Sequence, residues 1–464
     1  MERRCVTIVG GGLAGSEAAW QCAVRGVPVR LFEMRPARRT AVHRTGDLAE
    51  LVCSNSFKSV ELRSAHGLLK EELRRLGSLV LACAEACRLP AGAALAVDRE
   101  LFAATVTERL AAHPLIEIVR EEVTEIPRHG PVILATGPLC SDALASAIAR
   151  FTGERNLAFF DAISPIVEAD SIDTRIAFRA SRYGKGEGAD YLNCPMDRAE
   201  YEAFHDALVS AELAEVHDFD RTLLFEGCLP VEELARRGRD TLRFGPLKPV
   251  GLVDPRTGRR PWAVVQLRQD DLAATHFSLV GFQTRLRQAE QKRVFRMIPG
   301  LERAVFVKYG MIHRNTFVNA PRILRPTFQA RAREDLFFAG QISGVEGYTE
   351  STASGLLAGI GAAALLEGLE PPVLPETTAL GALQRYVSQA RAEDYQPANI
   401  AFGLLPPLER PVRGRRERKL ALAERALAAL DEFRARCKLV HVERPAADVP
   451  ADPGTPAGGS GGRA

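Results

Sequence analysis

Val6-Thr7-Ile8-Val9 is a short β-branched run that stops at Gly10-Gly11-Gly12-Leu13-Ala14-Gly15. An alanine-rich helical pattern runs from Ser16 to Arg25, Gly26 ends it, and Val27 to Phe32 makes a second apolar strand closing on Glu33. The order is strand, glycine turn, helix, strand. Gly67 to Leu81 has helical spacing with alternating charge, which predicts a solvated helix, and Asp98 to Ala112 reads as an amphipathic helix. Pro131 to Pro138 is a buried-strand run ending in Thr136-Gly137. From about Phe159 the pattern changes. Ile166 to Ala180 reads as paired strands, Arg182 to Gly188 as a basic glycine-rich turn, and Arg198 to Leu213 as an acidic helix. Near residue 305 the first pattern resumes. Asp335 to Gly340 is a strand, a glycine-rich turn leads to Ser351, and a helix of small residues reaches Glu367. A helix near Gly381 to Arg391 follows, then an alanine- and leucine-rich helix ending near Lys438.

This pattern predicts an α/β fold: a Rossmann-like FAD-binding domain of the glutathione-reductase-like flavoprotein kind, carrying an inserted α+β domain. The expected boundaries are 1–160 and 305–440 for the two parts of the FAD-binding domain and 161–304 for the insertion. The Pro/Gly/Ala-rich stretch 441–464 is expected to be a disordered tail. Gly10 would make the tight turn, Gly12 would let the backbone approach a pyrophosphate, and Gly15 would pack helix against strand. The helix N-terminus, including Gly11, Leu13 and Ala14, would face the phosphates, and Glu33 would accept from ribose hydroxyls. The second glycine-rich turn, holding Gly340 and Gln341, lies far from the first and after an insertion. That favours FAD over NAD as the tightly bound dinucleotide.

Composition sets bounds without adding chemistry. The formal net charge of +3 over 464 residues does not by itself announce a nucleic-acid partner. No stretch resembles a signal peptide or spans a bilayer, so a cytoplasmic protein with no membrane association is expected. The nine cysteines are scattered without CxxC pairing, which suggests a reduced compartment and neither a disulfide framework nor a metal site. Cys83 and Cys87, four apart, are expected on one helix face.

Two thiols stand out by context. Cys53 lies in Leu51-Val52-Cys53-Ser54-Asn55-Ser56-Phe57-Lys58, after a polar, arginine-rich loop (36–51) expected to lie over the cofactor. It reads equally as a reactive thiol or as a small buried residue in a turn. Cys228 precedes Leu229-Pro230-Val231-Glu232-Glu233, where proline and acids mark a helix start and Gly238 its end. A helix dipole would lower this thiol's pKa while Glu226, Glu232 and Glu233 would raise it. Arg243, Lys248, Arg256, Arg259 and Arg260, with Arg285, Arg287, Lys292, Arg293 and Arg296, read as an anion-binding surface or a solvated face. Arg413, Arg415, Arg416, Arg418 and Lys419 form a further basic run, and His313 with Arg314 marks the return to the first domain.

Taken together these segments resemble the TrmFO family of folate- and FAD-dependent tRNA (uracil-5-)-methyltransferases. The resemblance rests on Gly10–Gly15, Cys53 to Lys58, Asn193-Cys194-Pro195, Phe225 to Pro230, Gly310 to Thr316, Phe338 to Ser351 and Phe402 to Pro407. It implies that methylenetetrahydrofolate supplies carbon, reduced FAD supplies electrons and NAD(P)H reduces the flavin. The product would be 5-methyluridine at position 54 in the T loop of tRNA. It further implies Cys228 as the nucleophile that adds to uracil C6, and Cys53 as the base that removes the C5 proton or as the partner in a resting adduct. Tyr348 would stack on the flavin and His313 would cover the folate pterin. Arg285 and Lys419 would belong to the surface facing RNA or flavin. A monomer is expected.

Two other readings share many of these segments. The sibling flavoprotein that modifies the wobble uridine has the same Phe338-Ala339-Gly340-Gln341 turn, but a glycine-rich segment where Cys53 stands here. An RNA-binding flavoprotein without methyl transfer would account for the basic segments alone.

Overall fold

The computed structural model describes residues 5–40, 42–153, 157–186, 188–215, 229–393 and 395–437, and the backbone alone at 157–161 and 312–314. The expected tail and the segment containing Phe225 to Cys228 lie outside those residues.

Five strands of the first sheet end on the same edge. In spatial order the sheet runs 329–330, 333–338, 132–134, 6–9, 29–32 and 116–119. All neighbours are parallel except the 329–330 edge. Val6, Ile8, Leu31, Ile133 and Leu336 are fully buried, as a parallel sheet covered on both faces requires. Because the strands are parallel, the residues after them gather together: Gly10, Glu33, Ala135 and Gly340. Open α/β sheets bind ligands along such a carboxyl edge.

The helix Leu13–Ala23 crosses the long helix Tyr348–Leu366 on small residues. A Cβ at Gly355 would stand 2.2 Å from the Ala14 carbonyl oxygen, and one at Gly359 would stand 2.7 Å from that of Ala18. The Cys22 thiol donates to the Gly359 carbonyl at 3.3 Å in the same crossing. Thus the two glycine-rich segments, more than 300 positions apart, are locked back to back.

A second sheet, wholly antiparallel, runs 178–179, 191–196, 263–269, 276–279, 166–168 and 306–308. It carries its own core around Val167, Cys194, Tyr201, Phe204, Phe277, Phe282 and Phe295. Strands Leu157–Ala162 and Ile312–Phe317 form a separate antiparallel pair.

Three expectations about elements are corrected. Gly67 to Leu81 is not one solvated helix but two, Ala65–Arg75 and Leu79–Ala86, broken at Gly77 with φ 71°. Both are largely buried, because their charges meet partners inside. Lys70 Nζ donates to the Ser59 and His66 carbonyls at 3.0 and 3.1 Å, and Glu72 accepts the Ala379 and Leu380 N–H groups that open the helix Ala379–Gln389. Cys83 lies on the second of these helices, whereas Cys87 is its C-cap. Ile166 to Ala180 contains two strands that never meet: 166–168 pairs with 276–279 and 306–308, and 178–179 with 191–196.

Candidate functional site: a dinucleotide cleft and a thiol-bearing loop

The carboxyl edge of the parallel sheet opens into a cavity of about 1040 Å3 including its mouth. Gly10, Gly12, Leu13 and Ala14 form its floor, Glu33 to Arg35 one wall, Ala135 to Ser141 the other, and Gly340, Gln341, Tyr348 and Ser351 the far end. Gly10 has φ 106°, and a Cβ there would stand 2.4 Å from the Ala135 carbonyl oxygen. At Gly15 a Cβ would stand 1.8 Å from the Gly10 carbonyl oxygen, so neither position accepts a side chain. Gly12 differs: a Cβ would meet nothing within 4 Å. The space in front of Gly12 is the cradle a pyrophosphate would fill, at the first turn of an eleven-residue helix with no acid of its own there.

Glu33 is 6% exposed. Its Oε2 accepts the Gly11 N–H at 2.9 Å, and its Oε1 accepts the Arg35 N–H at 3.0 Å and Nε at 2.9 Å. Burial works against its charge, but the Arg35 guanidinium and the backbone donors outweigh it and hold the carboxyl below the usual range. Arg35 also pairs with Glu50 at 2.9 Å, and Glu50 accepts the Arg44 and Thr45 N–H groups. The 36–51 loop is therefore tied to the cleft wall through one buried arginine.

At the far end Gly340 donates its N–H to Ser354 Oγ at 2.7 Å, and Gln341 hydrogen-bonds Glu346. Tyr348 opens the long helix. Its hydroxyl accepts the N–H groups of Cys53 at 3.0 Å and Ser54 at 3.1 Å. So the half-buried Cys53 and the cleft-lining Tyr348 are brought together across 295 positions of sequence. Cys53 Sγ is 3.8 Å from the Ala162 carbonyl oxygen, on the strand that precedes the second sheet.

Other candidate residues fall elsewhere. His313 sits in the strand Ile312–Phe317 opposite Asp161. Lys419 lies on the helix Arg415–Arg436 with its ammonium 6.0 Å above the Phe402 ring. Arg285 is not on an exposed basic face. It is 7% exposed and pairs with Glu233 at 3.2 Å, while its N–H donates to Glu232 at 2.9 Å. Cys228 lies outside the described residues. The helix that follows it, Val231–Arg236, has Pro230 as its N-cap and both acids in its first turn. Those acids are engaged inward: Glu232 accepts from Thr284 and Arg285, and Glu233 pairs with Arg236 and Arg285.

Several residues of the site carry no sequence signal. Arg35 and Glu50 are ordinary members of a polar loop. Arg99, at the start of the helix Arg99–Ala111, sends its guanidinium to the carbonyls of Leu51 and Cys53 at 3.1 and 3.3 Å. Lys308 Nζ donates to the Val52 carbonyl at 3.2 Å.

The sheet order, the fingerprint turn and the cleft together define a flavoprotein of the GidA type. A family model, glucose inhibited division protein A, matches residues 5–370. The solved Aquifex aeolicus GidA in its form II crystal superposes with a TM-score of 0.70 at 17% identity, covering 95% of this chain and 74% of that one, which shows a shared fold. Within that class the chain belongs to the TrmFO family of enzymes. The methylenetetrahydrofolate–tRNA-(uracil-5-)-methyltransferase TrmFO of Pelotomaculum thermopropionicum is 61% identical over 434 residues, 94% of this chain and 99% of that protein. The TrmFO of Symbiobacterium thermophilum is 62% identical over 428 residues, covering 92% and 96% respectively. Among the described residues no helix is long and apolar enough to cross a membrane.

Proposed function

We propose that this chain transfers a one-carbon unit from methylenetetrahydrofolate to C5 of the T-loop uridine at position 54 of tRNA, with FAD in the cleft and NAD(P)H as the flavin's reductant. One observation carries the reading: Tyr348, at the end of the dinucleotide cleft, holds the amide of Cys53. A reacting thiol and a redox cofactor would then share one space.

FAD bound in the cleft supplies the electrons that reduce the transferred carbon to a methyl group. The chain's own residues do the rest. The Gly10–Gly15 turn and the helix dipole hold the pyrophosphate, and Gly12 leaves it room. Glu33 stays ionised beside Arg35, and a ribose hydroxyl would share its oxygens with the Gly11 N–H and the Arg35 guanidinium. Tyr348 offers its ring to the flavin while its hydroxyl fixes the 53–54 backbone. Uracil C5 is a poor nucleophile until a group adds at C6. In this reading the Cys228 thiolate forms that C6–S bond, C5 gains electron density and bonds to the one-carbon unit of the folate. Cys53 then takes the C5 proton as the bond between the transferred carbon and the folate nitrogen breaks and tetrahydrofolate leaves. That carbon gains the hydride equivalent that bound reduced FAD would supply, and the C6–S bond then breaks to restore the Cys228 thiolate. His313 covers the folate, and Lys419 lies on the face toward RNA.

The test uses methylenetetrahydrofolate labelled in its one-carbon unit, NAD(P)H and T-arm RNA. Wild-type protein should place label at C5 of uridine 54. Cys228→Ala should keep its yellow flavin and its RNA binding while label transfer is abolished. Full transfer by Cys228→Ala would end the nucleophile assignment, and flavin oxidation without labelled RNA in the wild type would point to a simple NAD(P)H oxidase.

A further inference from the structure

The loop that carries Cys53 is held from outside as well as from the cleft. Arg99 reaches it as a fork: Nη1 donates to the Leu51 carbonyl at 3.1 Å and Nη2 to the Cys53 carbonyl at 3.3 Å. The remaining nitrogen, Nε, donates to both oxygens of Asp270 at 3.1 Å. Asp270 follows the strand Ala263–Gln269 of the second sheet. That pair is nearly dry, with side chains 14% and 10% exposed. Asn55 repeats the connection. Its Nδ2 donates to the Gln269 carbonyl at 3.0 Å, and its Oδ1 accepts Arg268 Nε at 2.7 Å. Lys308, on the last strand of the second sheet, holds the Val52 carbonyl.

We infer that Arg99 is the positioning residue of Cys53, fixing its thiol's place and charge, and that Asp270 makes this hold depend on the second sheet. The inference rests on Cys53 being a reacting thiol, as proposed above. A planar guanidinium with three bonded nitrogens defines an orientation, whereas an ammonium defines only a point. The groups facing the loop are Arg99 from the helix 99–111, Arg268 and Asp270 from the second sheet and its following turn, and Lys308 from the 306–308 strand. Tyr348 faces it from the long helix, and His43, Arg44 and Glu50 lie in the preceding loop. Burial disfavours the charge on Arg99, Arg268 and Lys308, and prevails at Arg268 and Lys308, while a negative Cys53 is among the groups that favour it. By reciprocity each favours the Cys53 thiolate. Asp270, beside them, opposes it.

The arrangement predicts opposite signs for two substitutions, which general loosening of the loop would not produce. The readout is the rate of iodoacetamide alkylation of Cys53 against pH in the purified flavin-loaded protein, followed on the Cys53 peptide by mass spectrometry. It does not require methyl transfer. Arg99→Met should raise the midpoint by about one pH unit, the effect of losing one nearby opposite charge. Asp270→Asn should lower it. Arg99→Lys should restore the midpoint while 5-methyluridine formation stays down by about tenfold, since the charge returns without the fork. If Arg99→Met does not fold, Asp270→Asn must still lower the midpoint, and Arg99→Lys must leave it at the wild-type value while methyl transfer falls. An unchanged midpoint in folded Arg99→Met or Asp270→Asn, or shifts in one direction for both, would overturn the inference. Cys53→Ala tests the reading beneath it separately: full methyl transfer there removes Cys53 from the reaction without altering the alkylation result.

Discussion

The hydroxyl of Tyr348 accepts two consecutive backbone N–H groups, from Cys53 at 3.0 Å and from Ser54 at 3.1 Å. One aromatic residue thereby joins the second glycine-rich turn to the thiol-bearing loop. Its ring packs on Phe57 at a centroid distance of 5.6 Å, and Phe57 in turn packs on Phe102 at 5.6 Å. The loop is anchored through hydrogen bonds on one side and buried aromatic surface on the other.

Tyr348→Phe keeps the ring and removes the acceptor. Two donors lose their partner, which costs about 1–3 kcal/mol of stability. Flavin content should be unchanged, while methyl transfer should fall by about tenfold as the loop drifts from its reacting position. Thermal unfolding, flavin absorbance and turnover of T-arm RNA check this together. Equal activity with equal stability would mean that the hydroxyl does not hold the loop.

Gly12 and Gly15 differ by only three positions and should respond differently. Gly15→Ala forces a methyl against the Gly10 carbonyl, so the protein should lose both stability and flavin. Gly12→Ala points a methyl into open space, so it should fold with native thermal stability. Its FAD affinity should fall by at least about tenfold, or 1.4 kcal/mol. Titration of the apoprotein with FAD separates the two.

Glu33 sets an acid limit on the cleft. Its carboxyl is held below the usual value in the folded protein, so its contribution is present above the unfolded pKa of about 4.3 and lost as pH falls through the lower folded value. Wild-type stability should decline below about pH 4.3, and Glu33→Gln should show a shallower decline in that window. At pH 7 the same variant leaves Arg35 with Glu50 alone and should lose about 3 kcal/mol, the low end for breaking a buried pair because one partner remains. Denaturant melts at a series of pH values provide both numbers.

Some of the basic residues are paired and others are exposed. Arg243, Arg256, Arg287 and Arg293 are paired with Asp240, Asp254, Glu212 and Glu290. Arg413, Arg415, Arg416 and Arg418 are exposed at the start of the helix Arg415–Arg436. Charge reversal at true phosphate contacts should flatten the salt dependence of tRNA binding by about 0.7–0.9 log units per contact removed. Reversal at Arg415, Arg416 or Arg418 should do so, while reversal at Arg287 should leave the slope unchanged. Filter binding across a salt series reads the difference.

The sequence made the cleft legible where the chemistry is local. The fingerprint turn follows from glycine sterics within six residues, and the helix after Asp98 from a cap that accepts the Leu101 N–H at 3.0 Å. Where a residue's partner lies far along the chain, the sequence was silent or misleading. Lys70 and Glu72 look like solvent-facing charges until Ser59 and Ala379 are seen beside them. Arg285 looks like part of a basic surface until Glu233 takes its guanidinium. Spacing alone does not place Cys53 against Tyr348, nor does any periodicity single out Arg99.

The central claim is that two thiols far apart in sequence serve one bound flavin. The most direct measurement is the distance from the sulfurs of Cys53 and Cys228 to flavin N5 in a crystal structure of the protein with FAD and T-arm RNA. Both sulfurs should lie on the same flavin face, with the target uracil between Cys228 and the ring. A Cys228 sealed within the core of the second sheet, with no path to the RNA, would contradict it.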